Sequence, residues 1–292
     1  MRSIKDTFKL TSVPMKRFMA LVWLMSQMII PEGHAAAKRT DVITYHVVRP
    51  AGVAVTPSGD VWVTNQGDCY QLGLSGCTTN ASVILVTPKG TKTYTGFASP
   101  AGIAVDSKGN AWVANLGGNN VQHINATSGG VDIVLSDPNL QLINTPTSVA
   151  VDSQDNVLIA NRATQVISKY SSTGKFLGYL KVSMNLFSLA IGPDDRLWIA
   201  DTQDNAIYCP SLGVSFKLPN NTAPHALAID RLGNPWVANY NTSSIVQFNK
   251  KGRPLSVVKS GVRYPTGVDF DGEGNLYVSN FSINNVSKYR IK

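Results

Sequence analysis

Six segments of this 292-residue chain follow one pattern, and that self-similarity limits the fold more than any other feature. PAGVAVTPSGDVWVTN begins at Pro50, PAGIAVDSKGNAWVAN at Pro100 and PTSVAVDSQDNVLIAN at Pro146. Looser copies are NLFSLAIGPDDRLWIAD from Asn185, APHALAIDRLGNPWVAN from Ala223 and YPTGVDFDGEGNLYVSN from Tyr264. One bulky position, filled by Trp62, Trp112, Leu158, Trp198, Trp236 and Tyr277, recurs at intervals of 50, 46, 40, 38 and 41 residues. A period of this length marks an array whose units bury their apolar faces only against neighbours.

Each copy carries two short apolar runs with period-2 alternation, joined by a Gly/Asp/Asn turn, which predicts a β-hairpin. In the second copy a third run (121–126), a turn and a fourth run (131–135) follow. Four strands per unit and six units predict an all-β, six-bladed β-propeller over residues 38–292. Ala54, Ala104, Ala150, Ala190 and Ala228 place a small residue on the first strand, opposite the bulky one on the second. That pairing lets adjacent blades interdigitate, so the tryptophans are read as core. The last copy lacks its fourth run, and 41–48 supplies one at the other end of the chain. The N-terminal strand is therefore expected to close the last blade and leave no open edge.

The pattern Pro-x-Gly-Ile/Val-Ala-Val-Asp-x-x-Gly-Asn-x-Trp/Tyr-Val-Ala-Asp/Asn resembles the NHL repeat. In outline it is similar to the virginiamycin B lyase and gluconolactonase propellers. Such a scaffold serves enzymes, RNA binders and sensors alike, so it implies fold and leaves activity open.

Residues 1–37 are expected to be a leader. Lys16 and Arg17 precede an apolar run at 18–30 and the small residues Ala35, Ala36 and Ala37, the layout of a secretory signal peptide. The run is short for a membrane span, and Met15 would be a more ordinary start than Met1. A secreted or periplasmic monomer without a membrane span is the expectation. In an oxidising compartment Cys69 and Cys77, close together in the long loop 67–82, are expected to form a disulfide, with Cys209 left free and buried. Five of the 26 basic and two of the 18 acidic residues precede residue 38, so a chain cleaved there carries a net +5. Without a dense basic face, nucleic acid is an unlikely partner.

The second strands end at Asn65, Asn115, Asn161, Asp201, Asn239 and Asn280. Asx side chains fix turns, and a ring of them around a channel could also hold a hydroxyl-rich ligand or a divalent cation through oxygen. His225 occupies the variable position of the Pro-x-Gly turn and is expected at the channel mouth. Asp269 replaces the small alanine in the last copy, where a carboxylate must be paired or hydrated. The related enzymes imply Glu, Asn, Asp and His as working groups. Here Glu32 lies in the leader and Glu273 in a hairpin turn on the opposite face, and no histidines have zinc spacing.

No catalytic or metal-ligating residue and no cofactor is therefore assigned. The expected function is a binding module for a protein or glycan on the loop face, using Asn65, Tyr70, Asn115, Asn161, Asp201, His225, Asn239 and Asn280. The alternative is a metal-assisted hydrolase or lyase with a shifted ligand set drawn from Asp201, Asn161, Asn239 and His225.

Overall fold

The computed structural model describes residues 37–67, 81–139, 141–219 and 221–291. The leader before residue 37 and the loop segment with Cys69, Tyr70 and Cys77 lie outside the described residues. Six four-stranded antiparallel sheets form. Their innermost strands are Pro50–Val55, Pro100–Val105, Pro146–Val151, Leu186–Ile191, Pro224–Ile229 and Pro265–Phe270. These pack side by side in chain order and the last meets the first, which makes a six-bladed β-propeller.

The first hairpin of each blade shows why the repeat needs its residues. In the second blade Asp106 Oδ1 accepts the N–H groups of Lys108 and Asn110, both at 2.9 Å, while Gly109 takes a φ of 81°. A side chain that satisfies two turn amides stabilises the reversal. The register then sets Ala54 against Trp62, Ala104 against Trp112, Ala190 against Trp198 and Ala228 against Trp236. All four tryptophans are at most 1% exposed. Trp62 Nε1 donates to Gly109 O in the next blade at 3.1 Å, so the ring also serves as an inter-blade tie.

The ring closes through the N-terminal strand, with one correction. The closing strand is Lys38–Ile43, a few residues earlier than 41–48, and it pairs antiparallel with Asn285–Arg290. The residues after it are needed for a different task. Val47 is buried, His46 turns the chain at a φ of 58°, and Val48 N–H is held by Asn65 Oδ1 at 3.0 Å. The seam between last and first blades is tied twice more. Thr266 Oγ1 donates to Pro50 O at 2.6 Å, and Arg49 N–H donates to Asn284 Oδ1 at 2.8 Å.

That second tie is one case of a general device. Arg49, Ser99, Thr145, Ala223 and Tyr264, each directly before an inner-strand proline, have φ between 46° and 52°. Left-handed backbone at a non-glycine residue is strained and persists only where the surroundings hold it. At four of the five, Arg49 included, the preceding blade holds it. Thr145 N–H donates to Asn119 Oδ1 at 2.8 Å, Ala223 N–H to Asn205 Oδ1 at 3.2 Å and Tyr264 N–H to Ser243 Oγ at 3.1 Å. The rim of the channel is therefore fixed from one blade to the next.

Candidate functional site

The six Asx residues that end the second strands are almost wholly buried, between 0 and 3% exposed. Four of them do one job. Asn65, Asn115, Asn161 and Asn280 accept the backbone N–H of Val48, Ala98, Asn144 and Arg263, always 17 residues earlier. Asn161 also donates to Ile159 O, Val166 O and Ser168 Oγ. Asp201 accepts the N–H groups of Gln203 and Asp204, and Asn239 Oδ1 has no hydrogen-bond partner among the described residues. The four asparagines turn into the blades and pin the loop that delivers their own blade's inner strand. None of the six lines the channel mouth.

The mouth is lined instead by their immediate successors. Gln66, Leu116, Arg162, Tyr240 and Phe281 face a cavity of ≈ 370 Å³, together with Ala51, Ala101, Thr147, Phe187, His225 and Thr266 from the starts of the inner strands. Successive side chains on an extended chain point to opposite sides. With the Asx residue turned inward, its neighbour faces the opening at five of the six positions, Thr202 after Asp201 being the exception. This one-residue alternation is the signal that sequence reading had available, and the hydrogen-bonding character of the Asx residues drew attention to the wrong member of each pair.

His225 faces the mouth as expected. Its ring stacks on Tyr240 at 4.3 Å between centroids and 16° between planes, and it leans on Phe187 at 4.3 Å. Tyr240 in turn meets Tyr264 at 5.0 Å, and the Arg162 guanidinium lies 5.8 Å from the centre of the Phe187 ring. Burial pushes the His225 imidazolium down to about 4, and the charge on Arg162 adds to the effect. At neutral pH the imidazole is uncharged. Among the described residues of the lining, Arg162 is the one formally charged side chain and there is no carboxylate.

Below the mouth, Val53, Ile103, Val149, Leu189, Leu227 and Val268, one from each inner strand, line both this cavity and a second one of ≈ 610 Å³ at the opposite end. They form an apolar collar. The lower cavity is acidic, with seven aspartates and Arg231 among its lining residues. Most of these acids are already engaged in the blades. Asp106 meets His123 Nε2 at 3.3 Å, and His123 Nδ1 meets Asp132 at 2.5 Å. Lys169 pairs with Asp152 at 2.8 Å and Lys288 with Asp271 at 3.2 Å, while Asp230 accepts Trp236 Nε1 and Gln247 Nε2. Asp155 and Asp195 each reach back to a serine of the preceding blade, Ser107 and Ser153.

Two titrations here are shifted by named causes. Burial would raise the Asp106 carboxyl, but hydrogen bonds from His123 and Asn110 outweigh it and hold the group at about 2. Burial would likewise lower His123, and its two aspartate partners instead raise it above the ordinary imidazole value. Asp269 behaves differently. It is half-buried at the edge of the lower cavity, and burial pushes its carboxyl up to about 7. Its partner is Val55 N–H at 2.7 Å, across the seam.

The described residues of the mouth do not suit a divalent cation, because hard cations need several oxygen ligands, usually with carboxylates among them, and these residues offer no carboxylate. Among the described residues no group of three or more His, Cys, Asp or Glu side chains converges. Asp201, Asn161, Asn239 and His225 are not brought together, since the first three are held inside different blades. Glu273 sits in the last first-hairpin turn, bonded to Asn275 at 3.2 Å. Cys209 is free and buried.

No known family profile matches the sequence, and no curated protein matches it. Solved structures do match by fold. A catalytically inactive variant of virginiamycin B lyase from Staphylococcus aureus, determined with quinupristin, shares 19% identity at a TM-score of 0.63, covering 88% of this chain and 100% of that one. A Bacteroides thetaiotaomicron protein of unknown function gives 14% and 0.67, over 89% of this chain and 73% of its own. Kuenenia stuttgartiensis hydrazine synthase gives 12% and 0.62, over 90% and 99%. At such identities the likeness shows a propeller fold, and the differing roles of these proteins show how little the fold says about chemistry.

Proposed function

We propose that this chain is an exported NHL-type propeller that binds a glycan end at its channel mouth without transforming it. The observation that carries this reading is the lining itself, an aromatic wall of Phe187, His225 and Tyr240 in a concave cavity whose described residues include no carboxylate. Aromatic faces accept the apolar face of a sugar ring, and the ≈ 370 Å³ volume falls within the range of about 300 to 1,000 Å³ usual for small-molecule sites. Export rests on the leader-like segment and agrees with a glycan as partner. The side chains of the collar below are apolar and offer no hydrogen bond to further sugar hydroxyls, so a chain end fits better than a chain middle.

A lyase or hydrolase is the second reading, favoured by the presence of an imidazole at the mouth. Against it, a base that titrates near 4 accepts a proton poorly at neutral pH. Saturation-transfer NMR with a panel of oligosaccharides decides between the two. Transfer to a terminal ring, lost in Tyr240→Ala, is the expected result. No transfer from any glycan, combined with turnover of quinupristin or a lactone that disappears in His225→Ala, would replace binding with catalysis.

A further inference from the structure

Resting on that binding reading, we propose that the mouth selects a ring bearing a carboxylate, with Arg162 as the group that recognises the acid. Arg162 follows Asn161, so the alternation that hides Asn161 in the third blade turns Arg162 to the rim, where it is exposed. No acidic group pairs with it among the described residues. Five other basic side chains, Lys169, Arg196, Lys217, Lys250 and Lys288, each lie within 4.0 Å of an aspartate. Of the basic residues without such a partner among the described residues, Arg162 is the one that lines the mouth. A guanidinium is planar and presents two parallel N–H donors to a carboxylate, a geometry an ammonium lacks.

The rest of the lining sorts the ligand classes. The aromatic wall alone would also accept a quaternary ammonium, but the same positive field that discourages protonation of His225 repels a cation. A neutral ring would gain the stacking and forgo the ion pair. A ring with its carboxylate at the edge takes both, the flat face on Phe187 or Tyr240 and the acid on Arg162, 5.8 Å from the centre of the Phe187 ring. Both terminal acidic sugars and aryl carboxylates carry this chemistry.

The test follows the His225 imidazole by NMR while D-glucuronate, benzoate or D-glucose is added at neutral pH to wild-type protein, Arg162→Gln and Arg162→Lys. Wild type should prefer one or both acids over glucose by about tenfold or more, the usual scale for a charge-assisted pair. Arg162→Gln should erase that preference and Arg162→Lys keep part of it. In the bound state His225 should titrate at higher pH, because the ligand's charge offsets the guanidinium. Preference for glucuronate assigns a sugar acid and preference for benzoate an aryl acid. Equal affinity for glucose and the acids, or a preference that survives Arg162→Gln, overturns the inference and leaves ring binding standing. If none of the three perturbs His225, ring binding at the mouth falls as well. Unchanged melting of both Arg162 variants is the control for folding.

Discussion

The two ends of the channel are made by the same six inner strands, yet they are built to opposite rules. The lower end is built mainly from what repeats. Aspartates from the first-hairpin turns are bonded to their own turns and to the third strand, as with Asp106 and His123, Asp152 and Lys169, or Asp271 and Lys288. The upper end is lined by what varies, since the residue after the inner-strand proline is Ala, Thr or His, and the residue after the Asx is Gln, Leu, Arg, Thr, Tyr or Phe. In a repeat protein the recurring side chains hold the array together, and the irregular ones are free to meet something else.

If that contrast is right, variants at the lower end should cost stability and those at the upper end should not. The largest effect is expected at His123. Its replacement by Leu leaves the buried Asp106 without its partner, and breaking a buried pair should cost about 3 kcal/mol in urea unfolding at pH 7. The wild-type contribution from Asp106 is full above its unfolded value and fades as pH falls toward 2. The contribution from His123 is full at acidic pH and fades as pH climbs past its raised value. Unfolding unchanged by His123→Leu would remove the structural role given to the lower end.

Asp269 comes next and acts in the opposite sense to its neighbours. Its folded carboxyl titrates near 7 against 3.8 in model compounds, so the native state holds an extra proton between those values. Stability should therefore fall as pH rises from about 4 to 7, by on the order of 2 kcal/mol. Asp269→Asn should flatten that slope and melt higher than wild type at pH 8. A slope that survives the substitution would locate its origin elsewhere.

Asn161→Ala, at the upper end but inside the blade, removes the acceptor for Asn144 N–H and three donated bonds. It should cost about 2 kcal/mol, and a cost near zero would return the Asx ring to a role in binding. The smallest effect is expected at the mouth. Tyr240→Ala is expected to change the free energy of unfolding by about 1 kcal/mol or less while abolishing ring binding. A large loss of stability without loss of binding would reverse the contrast between the two ends.

How far the sequence could be read follows the same division. The blade count, the Ala–Trp pairing and the closing strand were legible because they repeat or conspicuously fail to. The rim was not. Val47, Phe97, Ile143 and Val262 are buried three residues before an inner-strand proline, an apolar-x-x-Pro signature in four of the six copies that holds the loops down. It lies upstream of the proline that opens each copy, outside the stretch where the copies resemble one another most. The mouth was misplaced by one residue for a different reason. Asn suggests a ligand contact, and only the backbone shows that its amide is spent on the N–H 17 residues earlier. His225 was found because it departs from its repeat, whereas Arg162 follows a position that appeared to explain the turn by itself.

The seam has a consequence for how the molecule comes into being. Its ties join residues 235, 216 and 214 positions apart, Arg49 with Asn284, Pro50 with Thr266 and Val55 with Asp269. The strand Lys38–Ile43 pairs with Asn285–Arg290, far along the chain. A polypeptide lacking either strand has five complete blades and an unpaired edge in the last one, the form in which chains associate with one another or are cut by proteases. Closure thus works as a test of integrity, passed only when both of these distant strands are present and paired.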